Sequence, residues 1–489
     1  MSSYPTLRRL GMQLPSRMRA STHEGAGLGR RGDNWHAPST GPIATSAGSL
    51  QTLRNRSRKA TRDDPWGRQG VDRLTSNHIG CGILPRPLYP DDNIRADMAE
   101  LWADSISELD ADGLLDFYGL QALVARTFFV AGEAFVRIRP RTRADGLAVP
   151  LQFQVVEPEM VPLNKNERLP NGNRIRQGIE FNGVGKRVAY WMHKSHPGES
   201  LPDGDATTLV RVPAEYVIHV FEPERPGQIR GVPHLSAALL RMKTLDDYDD
   251  AVLFRQEVAN LFTGFVKRPS PESNPLMPDI GGGDYAPMAT LEPGTMQELM
   301  PGEEVVFTDP PDAGNNYGDF MRQQLTAICA AADVPYEVLT GDLRGVSDRA
   351  IRVVLNEWRR RIEMRQFGVF VHQFCRPARN AWLDAAWLSG ALNLPGYGSN
   401  PRPYQRTRWT PQGWPYLHPV QDVQADKLAV RAGFTSRSEV VLRRGYDPDA
   451  VDDENATDNA RADELGLRYD SDARIRDASG KTIPDESNP

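Results

Sequence analysis

Four aspartates lie within five consecutive positions near the middle of the chain, at Asp246, Asp247, Asp249 and Asp250. Clustered carboxylates can bind Mg²⁺ and support the chemistry of a nuclease or a protease, and the adjacent pair Asp249 and Asp250 would have to do so here. Neighbouring residues on a helix, however, point about 100° apart, and the sequence indicates no third ligand. The aspartates therefore do not predict a metal site.

Three other single residues could take part in catalysis, but each lacks partners. Glu133 follows a glycine without a second acid, a histidine or a metal cluster to accompany it, so we interpret it as structural. His219 alternates with apolar neighbours in VIHVF, which favours a packed histidine over a ligand. Ser347 lies in GVSDR, which lacks the second glycine of a nucleophile elbow, and is predicted to cap a helix. The sequence thus predicts a protein that is not an enzyme and needs no cofactor or metal.

The segment FNGVGKR, residues 181–187, contains the Gly-Lys pair of a phosphate-binding loop at Gly185 and Lys186. A P-loop would need glycine where Glu180 stands, so the spacing excludes a nucleotide site of that kind. Asn182 and Gly183 instead predict a hairpin turn between two strands.

The four aspartates lie in the longest uninterrupted helical pattern of the chain, which follows the turn-rich segment RPGQIRGVP. Apolar residues recur there in steps of three and four, at Leu235, Leu239, Met242, Leu245, Tyr248 and Val252. Pro233 near the start and Gly264 at the end predict a rod of roughly 28 residues, about 40 Å long. Because aspartates are poor helix formers and repel one another at i,i+4, we expect an interaction outside the helix to compensate.

Composition favours a soluble protein with one large core or two to three smaller ones. The chain has 489 residues, of which 39% are hydrophobic and 25% charged, with no run of about 18 apolar residues and no apolar secretory signal. The three cysteines, Cys81, Cys329 and Cys375, are far apart and form no CxxC pair, so they are predicted to be core thiols.

Charge is distributed unevenly along the chain. Residues 1–62 carry eleven Lys or Arg against two acids, among many small and polar residues, which predicts a disordered basic arm up to about Leu50. This basic stretch is either a solvated surface or a contact with nucleic acid or an acidic neighbouring subunit. From Asp447 onward acids accumulate, and this tail is also predicted to be largely disordered.

Periodicity predicts an α+β protein. Residues 91–143 read as helix, helix and strand, and residues 149–221 as short strands of a mostly antiparallel β domain. Residues 266–310 are rich in Pro and Gly with two short strands, and they separate the long helix from a second one, DFMRQQLTAICAAAD. The pattern predicts two long helices joined by a small β-containing segment, residues 266–310, which we call the excursion.

Two strings resemble the portal proteins of lambda-family tailed phages. The first is RPGQIRGVP, with Gly227, Gln228, Arg230 and Gly231, followed by the long helix with its Leu-Asp-x-Tyr core. The second is VPYEVLTGD, with Pro335, Tyr336, Gly341 and Asp342. Shorter matches are Gly132-Glu133 and, with a gap, Arg349. The resemblance extends over about residues 50–450.

The resemblance implies a portal-type fold with a β-rich wing, long stem helices, a small clip and a helical C-terminal lobe. The implied divisions are a disordered basic arm (1–49), a wing domain (50–233), a stem helix (234–265), a clip (266–312), a second stem helix with a tunnel-type loop (313–346), a helical wing or crown region (347–446) and an acidic, largely disordered tail (447–489).

The implied function is a ring, typically dodecameric, at one capsid vertex, through which double-stranded DNA is packaged and ejected. Its implied partners are further copies of itself, the major capsid and scaffold proteins, the large terminase subunit, a head-completion or tail connector protein and the DNA, with no membrane. The protein is expected in the virion, and in the host cytoplasm during assembly. The alternative is another ring component of a phage head–tail connector, and such adaptors lack the stem, clip and stem order.

In such a ring the stem carboxylates can serve in two ways. A belt of lumenal carboxylates would repel DNA phosphate, and Asp246, Asp249, Asp250 and Arg349 are the channel candidates. Carboxylates that face a neighbouring subunit would instead pair with its arginines, and Asp247, Arg241 and Arg255 are the interface candidates. A heptad-like step brings Asp246, Asp249 and Asp250 onto one side, which we predict to be lumenal, while Asp247 points elsewhere.

Overall fold

Four helices and two strands form the first part of the chain. The computed structural model describes residues 38–199, 208–261, 265–267, 304–306, 317–415 and 418–469. These first elements are α1 (Pro42–Asp63), α2 (Pro65–His78), β1 (Leu84–Pro87), α3 (Asp92–Ser105), α4 (Phe117–Ala131) and β2 (Glu133–Pro140). Asp64 separates α1 from α2, because its side chain accepts a hydrogen bond from the Gly67 N–H at 2.8 Å and caps the second helix. The predicted order of helix, helix and strand between residues 91 and 143 is confirmed.

The strands pair antiparallel in small sheets, as predicted for residues 149–221. They are β3 (Leu151–Val156), β4 (Glu167–Arg168), β5 (Arg174–Arg176), β6 (Ile179–Phe181), β7 (Arg187–His193), β8 (Leu209–Pro213) and β9 (Val217–Phe221). One sheet has the order β3-β2-β9, so β2 lies at its centre, and a second sheet has the order β4-β5-β6-β7-β8. The hairpin turn between β6 and β7 is confirmed: the Asn182 side chain accepts from the Val184 and Lys186 N–H groups. The left-handed residue of that turn is Gly185, with φ of 82°.

Two helices form the stalk. A 3₁₀ turn (His234–Ala237) leads into α5 (Leu239–Leu261), and the chain returns as α6 (Tyr317–Ala332). The α-helix is 23 residues long, shorter than the predicted rod, because its first turn is 3₁₀. Two strands, β10 (Phe265–Lys267) and β11 (Glu304–Val306), pair antiparallel and bring the two ends of the excursion together. Most of the predicted clip, and the predicted stop at Gly264, lie outside the described residues.

The remaining elements are mostly helical. They are α7 (Tyr336–Thr340), α8 (Asp348–Arg365), a π-helical segment (Gln366–Cys375), α9 (Arg376–Ser389), β12 (Thr407–Thr410), α10 (Pro419–Arg431), α11 (Arg437–Arg443) and α12 (Pro448–Leu465). Ser347 accepts a hydrogen bond from the Ala350 N–H at 3.3 Å, which confirms its prediction as a helix cap. β12 pairs antiparallel with β1 and so ties the C-terminal part of the chain to its N-terminal part.

The largest core packs α4 against the π-helical segment and α9. Phe117 stacks on Phe374 with ring centroids 5.7 Å apart, and Phe128 meets Phe370 edge-on at 5.3 Å. Each of these aromatic side chains is almost completely buried, so together they supply much of the apolar area removed from water. No described helix combines the length and the apolar character needed to cross a membrane.

Three expectations need correction. Helix α1 begins at Pro42, inside the range 1–49 that was predicted to be disordered, and the proline at its first position suits a helix start. Helix α12 lies inside the tail predicted to be largely disordered, because Asp447 caps it and Gly466 ends it. Of the three cysteines, Cys329 and Cys375 are buried as predicted, but Cys81 is exposed.

Candidate functional site in the stalk and at its start

Helices α5 and α6 pack through one apolar face of each. Met242 and Leu245 of α5 are buried against Leu325 and Ile328 of α6, as the steps of three and four in the sequence require. Arg241 extends the contact, because its guanidinium donates to Gln324 Oε1 at 2.7 Å. The stalk is therefore a packed helix pair within one chain.

The four aspartates divide between two environments. Asp249 lies one turn after Leu245 on the packed face, where it accepts a hydrogen bond from the Tyr317 hydroxyl at 2.7 Å. That bond raises the pKa of Tyr317 to about 12. Asp246, Asp247 and Asp250 are exposed. The predicted common side of Asp246, Asp249 and Asp250 is therefore divided, since Asp249 is partly covered by its own chain.

Two of the interface candidates, Asp247 and Arg241, bind side chains of their own subunit. Asp247 pairs with Lys243 one turn earlier, at 2.5 Å and 2.8 Å, and Arg241 binds Gln324 as described. Arg255 is exposed on α5, and the channel candidate Arg349 is exposed in the first turn of α8. Their roles between subunits stay predictions.

The second family string forms a single helical turn that precedes α8. Pro335 stands before α7, and Gly341 ends it with φ of 72°. The Tyr336 hydroxyl donates to Asp342 Oδ2 at 3.3 Å, and Arg344 donates to both carboxylate oxygens of Asp342. The Arg344 bonds hold the pKa of Asp342 below its usual range. These contacts show that Tyr336, Gly341 and Asp342 of this string stabilise the local fold of the helical turn and the loop after it.

The first family string leads into the stalk and is built around Glu133, whose carboxylate is fully buried at the start of β2. Arg230 Nε donates to Glu133 Oε1 at 2.7 Å, and Arg54 Nη2 of α1 binds the same oxygen. Glu133 Oε2 accepts from the Gly231 N–H at 2.9 Å and lies 2.9 Å from His219 Nε2 of β9. We call these residues, Arg54, Glu133, His219, Arg230 and Gly231, the Glu133 cluster.

The surroundings of the Glu133 cluster keep Glu133 ionised and His219 neutral at pH 7. Burial alone would raise the pKa of Glu133, but Arg230 and Arg54 outweigh it and hold that pKa well below its usual range. Burial lowers the pKa of His219 to about 4 despite its bond to Glu133, so the imidazole is neutral at pH 7. One carboxylate thus faces two guanidinium groups. Chemically this is a buried ion network that joins a helix, two strands and a loop.

Backbone geometry explains Gly231 of the first string and Gly132, which precedes Glu133. A Cβ on Gly231 would lie 1.9 Å from the Gly132 carbonyl oxygen, and one on Gly132 would lie 2.2 Å from the Val232 carbonyl carbon. Gly132 also has φ of 87°. Only glycines allow the two chain segments to approach this closely, which brings the Gly231 N–H to Glu133.

Gly227 and Gln228 of the first string hold the backbone that carries Arg230 in place. Gly227 has φ of 82°, and Gln228 Oε1 accepts from the N–H groups of Glu224 and Arg225. Gln228 Nε2 donates to the Arg230 carbonyl at 2.8 Å. Arg230 Nη1 then donates to the backbone oxygens of Val161 and Gln177 at 3.1 Å and 2.7 Å.

Two glutamates and a histidine near the Glu133 cluster have the composition of a metal site, but an arginine already binds one of the glutamates. Glu157, Glu159 and His196 offer ligand atoms within 4.8 Å of one another. Arg58 of α1, one turn after Arg54, donates to both oxygens of Glu159 at 2.9 Å and 2.6 Å. The guanidinium supplies the positive charge that a metal ion would bring, so we interpret the group as an ion pair.

Sequence reasoning missed the partners of Glu133. The expectation that no histidine accompanies Glu133 is wrong, because His219, 86 positions away in the sequence, reaches Glu133 from the neighbouring strand β9, where it pairs with Phe135. Its interpretation as structural agrees with the geometry. A signal was present in the repeated glycines before Glu133 and after Arg230, since glycine next to a charged residue at two places can indicate a close backbone approach.

Comparison with known proteins identifies the family. Residues 28–366 match the model described as "Phage portal protein, lambda family". A "Probable portal protein" of Halomonas phage phiHAP-1 is 28% identical over 440 residues, covering 85% of this chain and 82% of the relative. The portal protein of Escherichia phage N15 is 22% identical over 475 residues, covering 86% of each chain.

A solved structure is also similar. A chain in the neck of a native GTA particle, computed with C12 symmetry, has a TM-score of 0.42 and 16% identity, covering 84% of this chain and 96% of that chain. The family match is the stronger finding. It runs through the stalk, the Glu133 cluster and both strings, over more than half of the sequence, and the chain therefore belongs to the lambda family of phage portal proteins.

Proposed function

We propose that the protein assembles into a closed ring of identical subunits at one vertex of a phage head, and that double-stranded DNA enters and leaves the head through this ring. The observation that carries the proposal is the family match over residues 28–366, which includes the first stalk helix, the excursion and the second stalk helix. A cyclic ring needs a head-to-tail interface between two different surfaces of the chain. Candidates on the stalk are Asp247, Arg241 and Arg255.

The exposed carboxylates of α5 suit a channel wall. A ring repeats Asp246 and Asp250 once per subunit, which makes a belt of negative charge from two side chains. Such a belt repels phosphate, so DNA slides past without binding, and the repulsion acts over about 8 to 10 Å at ordinary salt. Arg349 at the start of α8 is a second channel candidate.

The partners follow from the same proposal. The large terminase subunit and the head-completion or tail connector protein are expected at the clip, residues 266–312, most of which lies outside the described residues. The major capsid and scaffold proteins are expected around the wing. The ring is expected at the portal vertex of the virion, after assembly in the host cytoplasm.

Electron microscopy of the purified protein in negative stain tests the proposal. Rings with a central hole are expected, together with no Mg²⁺-dependent ATPase or nuclease turnover. A protein that stays monomeric at micromolar concentration, with and without scaffold protein, would contradict the ring. Turnover by pure protein would contradict the structural role.

Deletion of residues 270–300 tests the placement of the clip. The stalk helices keep their own packed faces, so rings should still form, while DNA packaging in an assembly assay should be lost. Normal packaging by the deleted protein would show that the docking surface lies elsewhere.

A further inference from the structure

A cleft of about 830 Å³ separates α8 and the π-helical segment from the C-terminal helices α10 and α11. Its floor is formed by β12 and the residues that follow, including Trp409 and Trp414. The volume lies in the range of binding pockets for small ligands or short peptide segments. Neither the stalk nor the Glu133 cluster uses this cleft.

The lining is rich in hydrogen-bond donors. Six arginines and four acids line the cleft, and two of these arginines, Arg408 and Arg443, both pair with Glu439. The guanidinium carbon of Arg359 lies 4.9 Å from the centroid of the Trp414 ring, so this cation packs on the face of an aromatic side chain. Arg376 is exposed at the rim. The cleft therefore has a positive balance and an aromatic floor.

Two donors of residues that line the cleft are buried without a hydrogen-bond partner among the described residues. The Trp409 side chain is only 6% exposed, and its Nε1–H has no hydrogen-bond partner among the described residues. Arg352 Nε is likewise buried without a partner in the described part of the chain, although its Nη2 donates to Asp348. Buried donors without acceptors are costly, so an acceptor-bearing group is expected beside them.

A peptide fits the lining better than nucleic acid does. Phosphates along a nucleic-acid strand would meet the four carboxylates of the cleft as well as its arginines. A peptide with separated acidic and basic side chains can place each charge opposite its complement.

We propose that this cleft binds residues 470–489 of the chain itself, in the same subunit or the next. That segment carries five acids and three bases, a negative balance that complements the cleft, and also Ile475 and Ile483, which suit an aromatic floor. It follows α12, which packs on α11, a wall of the cleft. Twenty residues can extend over about 66 Å, so reach is not limiting.

The test uses the protein without residues 470–489 and a fluorescein-labelled synthetic peptide of that segment. Fluorescence anisotropy should show saturable binding to the truncated protein and clearly weaker binding to the full chain, whose own segment competes. Arg359→Glu should weaken binding about tenfold or more, since a favourable charge becomes a repulsive one. A peptide with its acids changed to Asn and Gln should lose most of its affinity.

A matched charge reversal controls for the change in net charge. Arg168→Glu, on exposed β4, should leave the peptide affinity within about twofold of the parent. Arg376→Glu at the rim provides a second cleft variant if Arg359→Glu does not fold, as judged by circular dichroism. The same peptide with its sequence shuffled distinguishes recognition from general charge attraction.

Four results would overturn the proposal. They are no binding to the truncated protein, equal binding by the full and truncated chains, equal losses at Arg168 and in the cleft, and displacement of the peptide by a single-stranded 20-mer DNA that the cleft variants no longer bind. Each of these outcomes is independent of whether the protein forms rings.

Discussion

The carboxylate of Glu133 and those of Asp246 and Asp250 lie in opposite environments. Glu133 is fully buried and accepts from two guanidinium groups, a backbone N–H and an imidazole. Asp246 and Asp250 are exposed on a stalk helix whose packed face lies elsewhere. The carboxylate of Glu133 thus stabilises the fold, whereas the carboxylates of Asp246 and Asp250 remain accessible to other molecules.

Burial decides which carboxylate can be changed without loss of the fold. Removing one member of a buried ion network leaves uncompensated charge in a medium of low polarity, whereas an exposed charge is screened by water and salt. Function in a portal protein, a structural protein rather than an enzyme, is therefore expected at the second kind of site. Family membership confirms the prediction that the chain is not an enzyme.

Glu133→Ala should have the largest effect. It leaves Arg54 and Arg230 buried without their carboxylate, and breaking a buried pair in this way costs about 3–5 kcal/mol. Chemical denaturation followed by circular dichroism should show this loss, or no folded protein at all. Asp250→Ala is the matched control, expected within about 0.5 kcal/mol of the parent. Equal stability of the two variants would contradict the division between the two regions.

Gly231→Ala tests the backbone approach rather than the charges. A methyl group would clash with the Gly132 carbonyl oxygen, 1.9 Å away, and would move the N–H away from Glu133. We expect a loss of about 3 kcal/mol in the free energy of unfolding. Gly183→Ala, where no atom lies within 4 Å of the added carbon, should change stability by less than about 0.5 kcal/mol.

Acid should weaken the buried region selectively. The pKa values of His219 and His78 are lowered by burial to about 4 and about 3, below an unfolded value of about 6.5. The unfolded chain therefore binds protons at a higher pH than the folded chain. Stability is complete above pH 6.5 and falls as the pH decreases towards 4, by about 2 kcal/mol per histidine between pH 6.5 and 5.

Thermal melts at several pH values check this expectation. His219→Gln should reduce the loss of melting temperature between pH 7 and pH 5, because one of the buried histidines whose pKa is lowered no longer titrates. His372→Gln at an exposed position controls for the substitution itself, and it should leave the melting temperature at pH 7 unchanged. A melting temperature that stays constant over this range would contradict the burial of the imidazoles.

Much of the fold could be predicted from the sequence because its signals are local. Steps of three and four placed the packed face of α5, and the Asn182 turn and the Ser347 cap depend on neighbouring residues. The partners of Glu133 could not be predicted, because Arg54, His219 and Arg230 are 79, 86 and 97 positions away. The start of α1 at Pro42 was missed because its small and polar residues resemble those of a disordered arm.

Arg54→Met tests how much the second guanidinium contributes to the stability of the Glu133 cluster. With His219 neutral, the cluster holds one negative and two positive charges, so removal of Arg54 leaves the balanced pair of Glu133 and Arg230. Arg54 Nη1 also has no partner among the described residues. The loss should be about 1–2 kcal/mol, clearly less than for Glu133→Ala. A larger loss than for Glu133→Ala would show that the hydrogen bonds of the Arg54 guanidinium, to Glu133 and to the Ala131 carbonyl, outweigh the charge balance of the cluster.

The smallest effect on stability should come from the exposed aspartates, and it should coincide with a change in function. Asp246→Asn with Asp250→Asn should keep the free energy of unfolding within about 0.5 kcal/mol and leave rings intact. Removing the negative belt should make those rings retain duplex DNA at low salt, an effect lost as salt shortens the Debye length below about 8 Å. Filter binding across a salt series measures it.

Asp249→Asn separates the channel role from packing. Asp249 accepts from the Tyr317 hydroxyl, so this change should lower the melting temperature slightly, while adding it to the double variant should increase DNA retention little. Asp247→Asn should act differently again if Asp247 faces a neighbouring subunit, because it would loosen the ring without a gain in DNA binding. Rings of the Asp246 and Asp250 variant that fall into monomers, with no gain in DNA retention, would show that these carboxylates hold subunits together and that their assignment to the channel is wrong.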